Sequence, residues 1–158
     1  MKIFLGFHLI KMSLFQDKIE GFKVTPLKEI ADKRGSVLHM LKCDSPDFVK
    51  FGECYFSEIL SGSVKAWKKH TIQTQNISVP IGKIRLVVYD CRNLTTTKGN
   101  LIVLELGRPE TYQRVTIPPN VWYGFKCISK TSQLAKKLKY ETHFVLDGHL
   151  YPKANAEY

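Results

Sequence analysis

A chain of 158 residues with 44% hydrophobic, 11% aromatic and 24% charged residues has the composition of one globular domain. That excludes a disordered tail, a collagen-like rod and a coiled coil, and the length suffices to bury a core without staples. Lys+Arg 24 against Asp+Glu 14 gives a formal charge of +10, so the expected partner is anionic: nucleic acid, phosphorylated metabolite or membrane surface.

The chain opens on MKIFLGFHLIK, whose apolar run is too short for the ~20 residues of a membrane span and lacks a small-x-small cleavage site. With Met12 beginning a more polar start, residues 1–11 read as a disordered extension or an over-called start, and 12–158 as a single domain. No later segment approaches transmembrane length, so a soluble, cytoplasmic protein is expected. The cysteines at 43, 54, 91 and 127 form no CxxC pair and have no His at zinc-ligand spacing; they read as buried reduced thiols.

Short β-like runs then follow at 22–24, 36–41, 54–59, 63–67, 76–80, 83–89, 101–106, 113–117, 121–128 and 141–145. Ile84-Arg85-Leu86-Val87-Val88-Tyr89 has the branched and aromatic content of a buried strand, and the alternation over 111–117 suits a half-buried one. Gly35, Gly62, Gly82, Gly99, Gly107, Gly124 and the string Pro118-Pro119-Asn120 mark the turns. Helical periodicity is weak: 132–139 predicts one short helix and 26–31 a turn. Many short strands at ~8–12-residue spacing predict an all-β sandwich or barrel, most specifically a small jelly roll.

Two strings carry candidate chemistry. In Ser61-Gly62-Ser63-Val64-Lys65-Ala66-Trp67-Lys68-Lys69-His70, strand alternation would turn Lys65, Trp67 and Lys69 one way and Ala66, Lys68 and His70 the other. The string is either a solvated basic edge strand, where lysines guard against aggregation, or a basic wall that meets a diphosphate. In the second string, Pro118 and Pro119 fix a turn before Trp122, Tyr123 and Phe125, which make either a core strand or an aromatic wall for a base or sugar. A metal site is not expected, because His70 has no His two residues away and position 123 is Tyr. Gly-rich phosphate loops, G-x-S-x-G elbows and Cys-His pairs are absent.

At these strings the chain resembles the dTDP-4-dehydrorhamnose 3,5-epimerase family. Asp32-Lys33-Arg34-Gly35 is similar to its early D-x-R-G. Tyr55-Phe56-Ser57 followed by Gly62-Ser63-Val64-Lys65-Ala66-Trp67 is similar to the strand and turn before its catalytic segment. Gly82-Lys83-Ile84-Arg85-Leu86-Val87-Val88-Tyr89-Asp90-Cys91-Arg92 resembles its G-x-[VI]-x-[VD]-V-x-x-D-x-R, and Ile117-Pro118-Pro119-Asn120-Val121-Trp122-Tyr123-Gly124-Phe125 its I-P-x-G-x-x-H-G-F.

The resemblance implies a cupin-like double-stranded β-helix (jelly roll) with small helical turns at the periphery, a homodimer, and a nucleotide-diphosphate sugar as ligand. It implies removal of the C3 and C5 protons beside a C4 ketone by a His, with a Tyr acid, a Lys on the enolate oxygen, and neither metal nor other cofactor. The chain departs from that set. Lys68 stands where the base His is expected, Gln75 near the enolate Lys, and Tyr123 at the H-G-F histidine. Ala135 and Lys136 stand where the acid Tyr falls, with Tyr140 the nearest aromatic. The catalytic candidates are therefore His70, Lys68 and Tyr140, and the substrate-binding candidates Arg34, Lys65, Gln75 and Tyr123. The leading expectation is an epimerase or related isomerase of a nucleotide-linked keto-sugar in cell-surface polysaccharide synthesis. The alternatives are a lapsed family member that still binds nucleotide sugar or a partner enzyme, and a basic nucleic-acid-binding β-barrel.

Overall fold

The computed structural model describes residues 18–129 and the backbone of the strand Glu141–Gly148. Its strands are β1 (Lys23–Pro26), β2 (Glu29–Asp32), β3 (Gly35–Leu38), β4 (Glu53–Ile59), β5 (Val64–Lys68), β6 (Thr74–Ser78), β7 (Lys83–Asp90), β8 (Leu101–Gly107), β9 (Gln113–Ile117), β10 (Val121–Cys127) and β11 (Glu141–Gly148). A five-stranded sheet in the order β1-β9-β6-β11-β4 and a four-stranded sheet in the order β5-β10-β7-β8 are antiparallel throughout. This is the all-β, cupin-like jelly roll that the strand pattern and the resemblance led us to expect.

The alternation of apolar residues explains why two sheets form. Ile84, Leu86 and Val88 of β7 and Ile102, Leu104 and Leu106 of β8 point inward, as do Ile77 of β6 and Val115 and Ile117 of β9. All belong to one buried cluster between the sheets. Burying such a side chain contributes about 1.5–3 kcal/mol, so this cluster is the main term holding the sheets face to face.

Three expectations need correction. Residues 26–31 do not form a helical turn: β2 pairs with β3 from Glu29↔Leu38 to Asp32↔Gly35, and Gly35 takes φ 144° to close the hairpin. No helix occurs among the described residues, and 132–139, like residues 1–11, lies outside them. Second, β9 is buried on both faces, not one. Its outward Arg114 is clamped by the 39–52 loop, donating to the Met40 carbonyl at 2.7 Å and pairing with Asp47. Third, all four cysteines are free thiols, but only Cys127 is buried; Cys43 and Cys54 are exposed and Cys91 intermediate. No helix among the described residues is long and apolar enough to cross a membrane.

Candidate functional site

The β5–β6 connection, residues 69–73, crosses from the four-stranded to the five-stranded sheet, and the candidate polar groups gather beside it. β5 is an edge strand, as the basic-edge reading supposed, but its register is not regular. Tyr123 lies opposite Lys68 and Phe125 opposite Lys65, so three steps along β5 match two along β10. That extra residue is a β-bulge. Cross-strand partners share a face, and Tyr123 and Phe125 face the core. Lys65 and Lys68 therefore lie on the same face, where simple alternation had placed them on opposite faces. Gly124 makes the bulge possible, because a Cβ there would meet the Ala66 Cβ at 2.6 Å.

Lys65 reaches across to β4, where its ammonium donates to the Ser57 hydroxyl at 3.1 Å and to the Glu58 carbonyl. Lys68 is more exposed, and its ammonium is held below the usual lysine range, first by partial burial and then by the charge of Lys65. His70 Nε2 is 3.2 Å from the Tyr123 hydroxyl, and the two rings stack with centroids 6.0 Å apart. Tyr123 is buried and His70 half-buried. Gln75 pairs with Ile117 in register and so faces the core side; its amide donates to Gln73 Oε1 at 3.2 Å. Gln75 is 1% exposed, and its Oε1 has no hydrogen-bond partner among the described residues.

The structure thus brings together Lys65, Lys68 and Tyr123 on one sheet and His70 in the connection that leaves it, with Gln75 on the inner side of the other sheet. It does not bring Arg34 to them. Arg34 sits at the β2–β3 turn, bonded to Asp32 at 2.8 Å with 83% of its side chain exposed. Tyr140 lies outside the described residues. The second string also divides: Tyr123 and Phe125 face inward, whereas Trp122 faces outward and stacks under the Lys69 ammonium at 5.0 Å. Trp122, Trp67, Tyr89 and Leu101 line an outer groove of about 360 Å3.

Sequence reading missed Asn120 as a site residue. Its backbone N–H donates to the His70 carbonyl at 2.7 Å, and its side-chain amide to the Thr71 carbonyl at 3.3 Å. Asn120 has φ 62°, a left-handed conformation that Asn tolerates, so the turn seen as Pro118-Pro119-Asn120 also anchors the His70 backbone. Among the described residues no three His, Cys, Asp or Glu side chains are grouped to hold a metal ion. Chemically, the arrangement supplies a proton acceptor, a hydroxyl in contact with it and two ammonium groups for an anion or a developing oxyanion.

No family model matches the chain. It is 30% identical over 118 residues to a probable low-salt glycan biosynthesis epimerase, Agl13, of Haloferax volcanii, covering 73% of this chain and 75% of the relative. It is 29% identical over 113 residues to the spore coat polysaccharide biosynthesis protein SpsL of Bacillus subtilis, covering 72% of this chain and 74% of the relative. Among solved structures, a dTDP sugar isomerase from Desulfovibrio desulfuricans superposes with a TM-score of 0.77 at 40% identity, covering 86% of this chain and 82% of the other.

Proposed function

Since the chain belongs to the dTDP-4-dehydrorhamnose 3,5-epimerase family, we propose that it is an epimerase or related isomerase of a nucleotide-linked 4-keto-6-deoxy sugar, serving polysaccharide synthesis. The observation that carries this reading is the His70–Tyr123 contact at 3.2 Å beside Lys68. A proton α to a ketone needs a base near neutral pKa and a cation where the enolate oxygen forms. His70 is the base, because an imidazole nitrogen can take up a proton and return it. Lys68 stays charged and holds the ketone oxygen or the diphosphate, and Lys65 grips the diphosphate. Tyr123 or Tyr140 supplies the acid. This chemistry calls for neither a metal nor a nicotinamide.

The competing reading is a family member that binds nucleotide sugar without turning it over; Lys68 and Gln75, at positions where a His and a Lys are expected, favour it. Solvent-deuterium incorporation at C3 of a dTDP-4-keto-6-deoxy sugar separates the two. The native protein should exchange C3–H, His70→Asn should abolish that exchange, and Lys68→His should raise it. Native-level exchange that survives in His70→Asn but is lost in Lys68→Met would make the lysine the base.

A further inference from the structure

Epimerisation and ketone migration start alike, with loss of a proton beside a carbonyl. They differ in where a proton returns. Inversion needs an acid on the face opposite the base, so the sugar ring must lie between the two groups. Migration of the ketone to the adjacent carbon needs a proton returned one carbon along, and a single group on one face can both take it and give it back.

His70 Nε2 and the Tyr123 hydroxyl are 3.2 Å apart, and their ring planes lie 22° from parallel. Atoms in hydrogen-bond contact leave no room for a hexose between them, so the two cannot stand on opposite faces of one sugar ring. Lys65 and Lys68 share the face of Tyr123, turned there by the bulge. From the five-stranded sheet Gln75 faces inward, and an amide has no proton to give to carbon. Its buried Oε1, without a partner among the described residues, is an acceptor set for a sugar hydroxyl.

Resting on the reading that the site takes a nucleotide-linked 4-keto sugar, we infer that the His70–Tyr123 pair moves the ketone from C4 to C3 rather than inverting a carbon. His70 Nε2 takes the C3 proton. The C3–H electron pair becomes the C3=C4 bond and the carbonyl pair moves onto O4, which the Lys68 ammonium holds. Tyr123 accepts the O3 hydroxyl proton as it gives its own to O4. The O3 pair then closes the C3 carbonyl, and the C3=C4 pair takes the proton back from the imidazolium at C4. One C–H and one O–H bond break, one of each forms, and neither an oxidant nor a net proton is required. The C5 hydrogen is untouched.

The test is NMR of the full-length protein with dTDP-4-keto-6-deoxy-D-glucose in D2O. The expected product is the 3-keto isomer, carrying hydrogen or deuterium newly bonded at C4 and protium still at C5. His70→Asn should lower its formation by roughly 100-fold or more, the scale of a lost general base. Tyr123→Phe should lower product formation more than exchange at C3, because the base remains while the oxygen-to-oxygen transfer is lost. A recovered 4-keto sugar inverted at C3 or C5 would overturn the inference and leave the family activity standing. Nucleotide sugar bound calorimetrically with neither exchange nor product would overturn both, as would failure to bind it.

Discussion

At Lys68 an ammonium group is partly withdrawn from water on the same face as Lys65. To act as a base near neutrality it would have to fall from ~10.4 to ~7–8, roughly 4 kcal/mol against its charged form. Partial burial and one neighbouring lysine supply less than that where solvent reaches the group, since partly exposed charges interact by about 1 kcal/mol or less. The lowered value still has a consequence for folding. Between the folded value and ~10.4 the unfolded chain binds more protons at this site than the folded one, so stability rises with pH across that window. At pH 7 the charged lysine opposes folding. Lys68→Met should therefore raise the melting temperature slightly at pH 7, by no more than about 1 kcal/mol of stability. Melting curves from pH 7 to 10 should show the advantage shrinking as the wild-type lysine loses its proton. An advantage that grows with pH would contradict the assigned direction.

The bulge between β5 and β10 is the element on which the site depends, and Gly124 is its weak point. Ala at 124 would bring Cβ to 2.6 Å from the Ala66 Cβ and 3.2 Å from its Cα, with backbone and a methyl group, not a flexible side chain, in the way. Gly124→Ala should cost about 1–3 kcal/mol and push β5 outward, displacing Lys65 and Lys68 and lowering activity with them. Chemical denaturation checks the stability, and adding Ala66→Gly should restore most of it, because the clash is between those two residues. This element also marks how far sequence reading reached. The runs of β7, β8 and β10 announced themselves through several branched and aromatic residues, whereas Glu29-Ile30-Ala31-Asp32 has Ile30 alone and becomes β2 through pairing with β3. Lys68 and Tyr123 were both legible as candidates. Their shared face was not, since an extra residue in one strand is defined only against its partner's register. Nor was the His70–Tyr123 contact, which joins residues 53 apart in the chain.

At the scale of the whole molecule, the described part begins firmly. Ile19 and Phe22 are buried, the Lys18 carbonyl accepts from the Asn100 amide at 2.7 Å, and the Glu20 N–H donates to Thr97 at 3.0 Å. These ties all lie after Met12. Removing 1–11 should thus leave the melting temperature within ~5 °C, the scale of about 1 kcal/mol for a domain of this size, and a larger fall would show that the stretch packs. The β2–β3 hairpin argues for more than one chain. It forms its own two-stranded sheet, exposing Ile30 at 47% and Val37 at 61%, and an isolated hairpin is marginal in water. It is tied down beside its own chain by Arg108–Glu29 and by Tyr112 donating to the His39 carbonyl at 2.9 Å. Meanwhile β4 is an edge strand among the described residues, with its Phe56 exposed at 61% and Phe51, just before it, at 64%. An apolar hairpin and an apolar edge on one molecule are complementary between two copies, and a two-fold exchange would satisfy both at once. The same exchange would carry Arg34 away from its own chain toward a partner, where a guanidinium could meet a diphosphate. Sedimentation at micromolar concentration should therefore find twice the chain mass of 18.2 kDa. Val37→Lys together with Phe56→Lys should shift it to the single-chain mass while near-neutral circular dichroism keeps its β signature. A wild-type protein that sediments only at the single-chain mass would refute the dimer, and Arg34 would then have no site to reach.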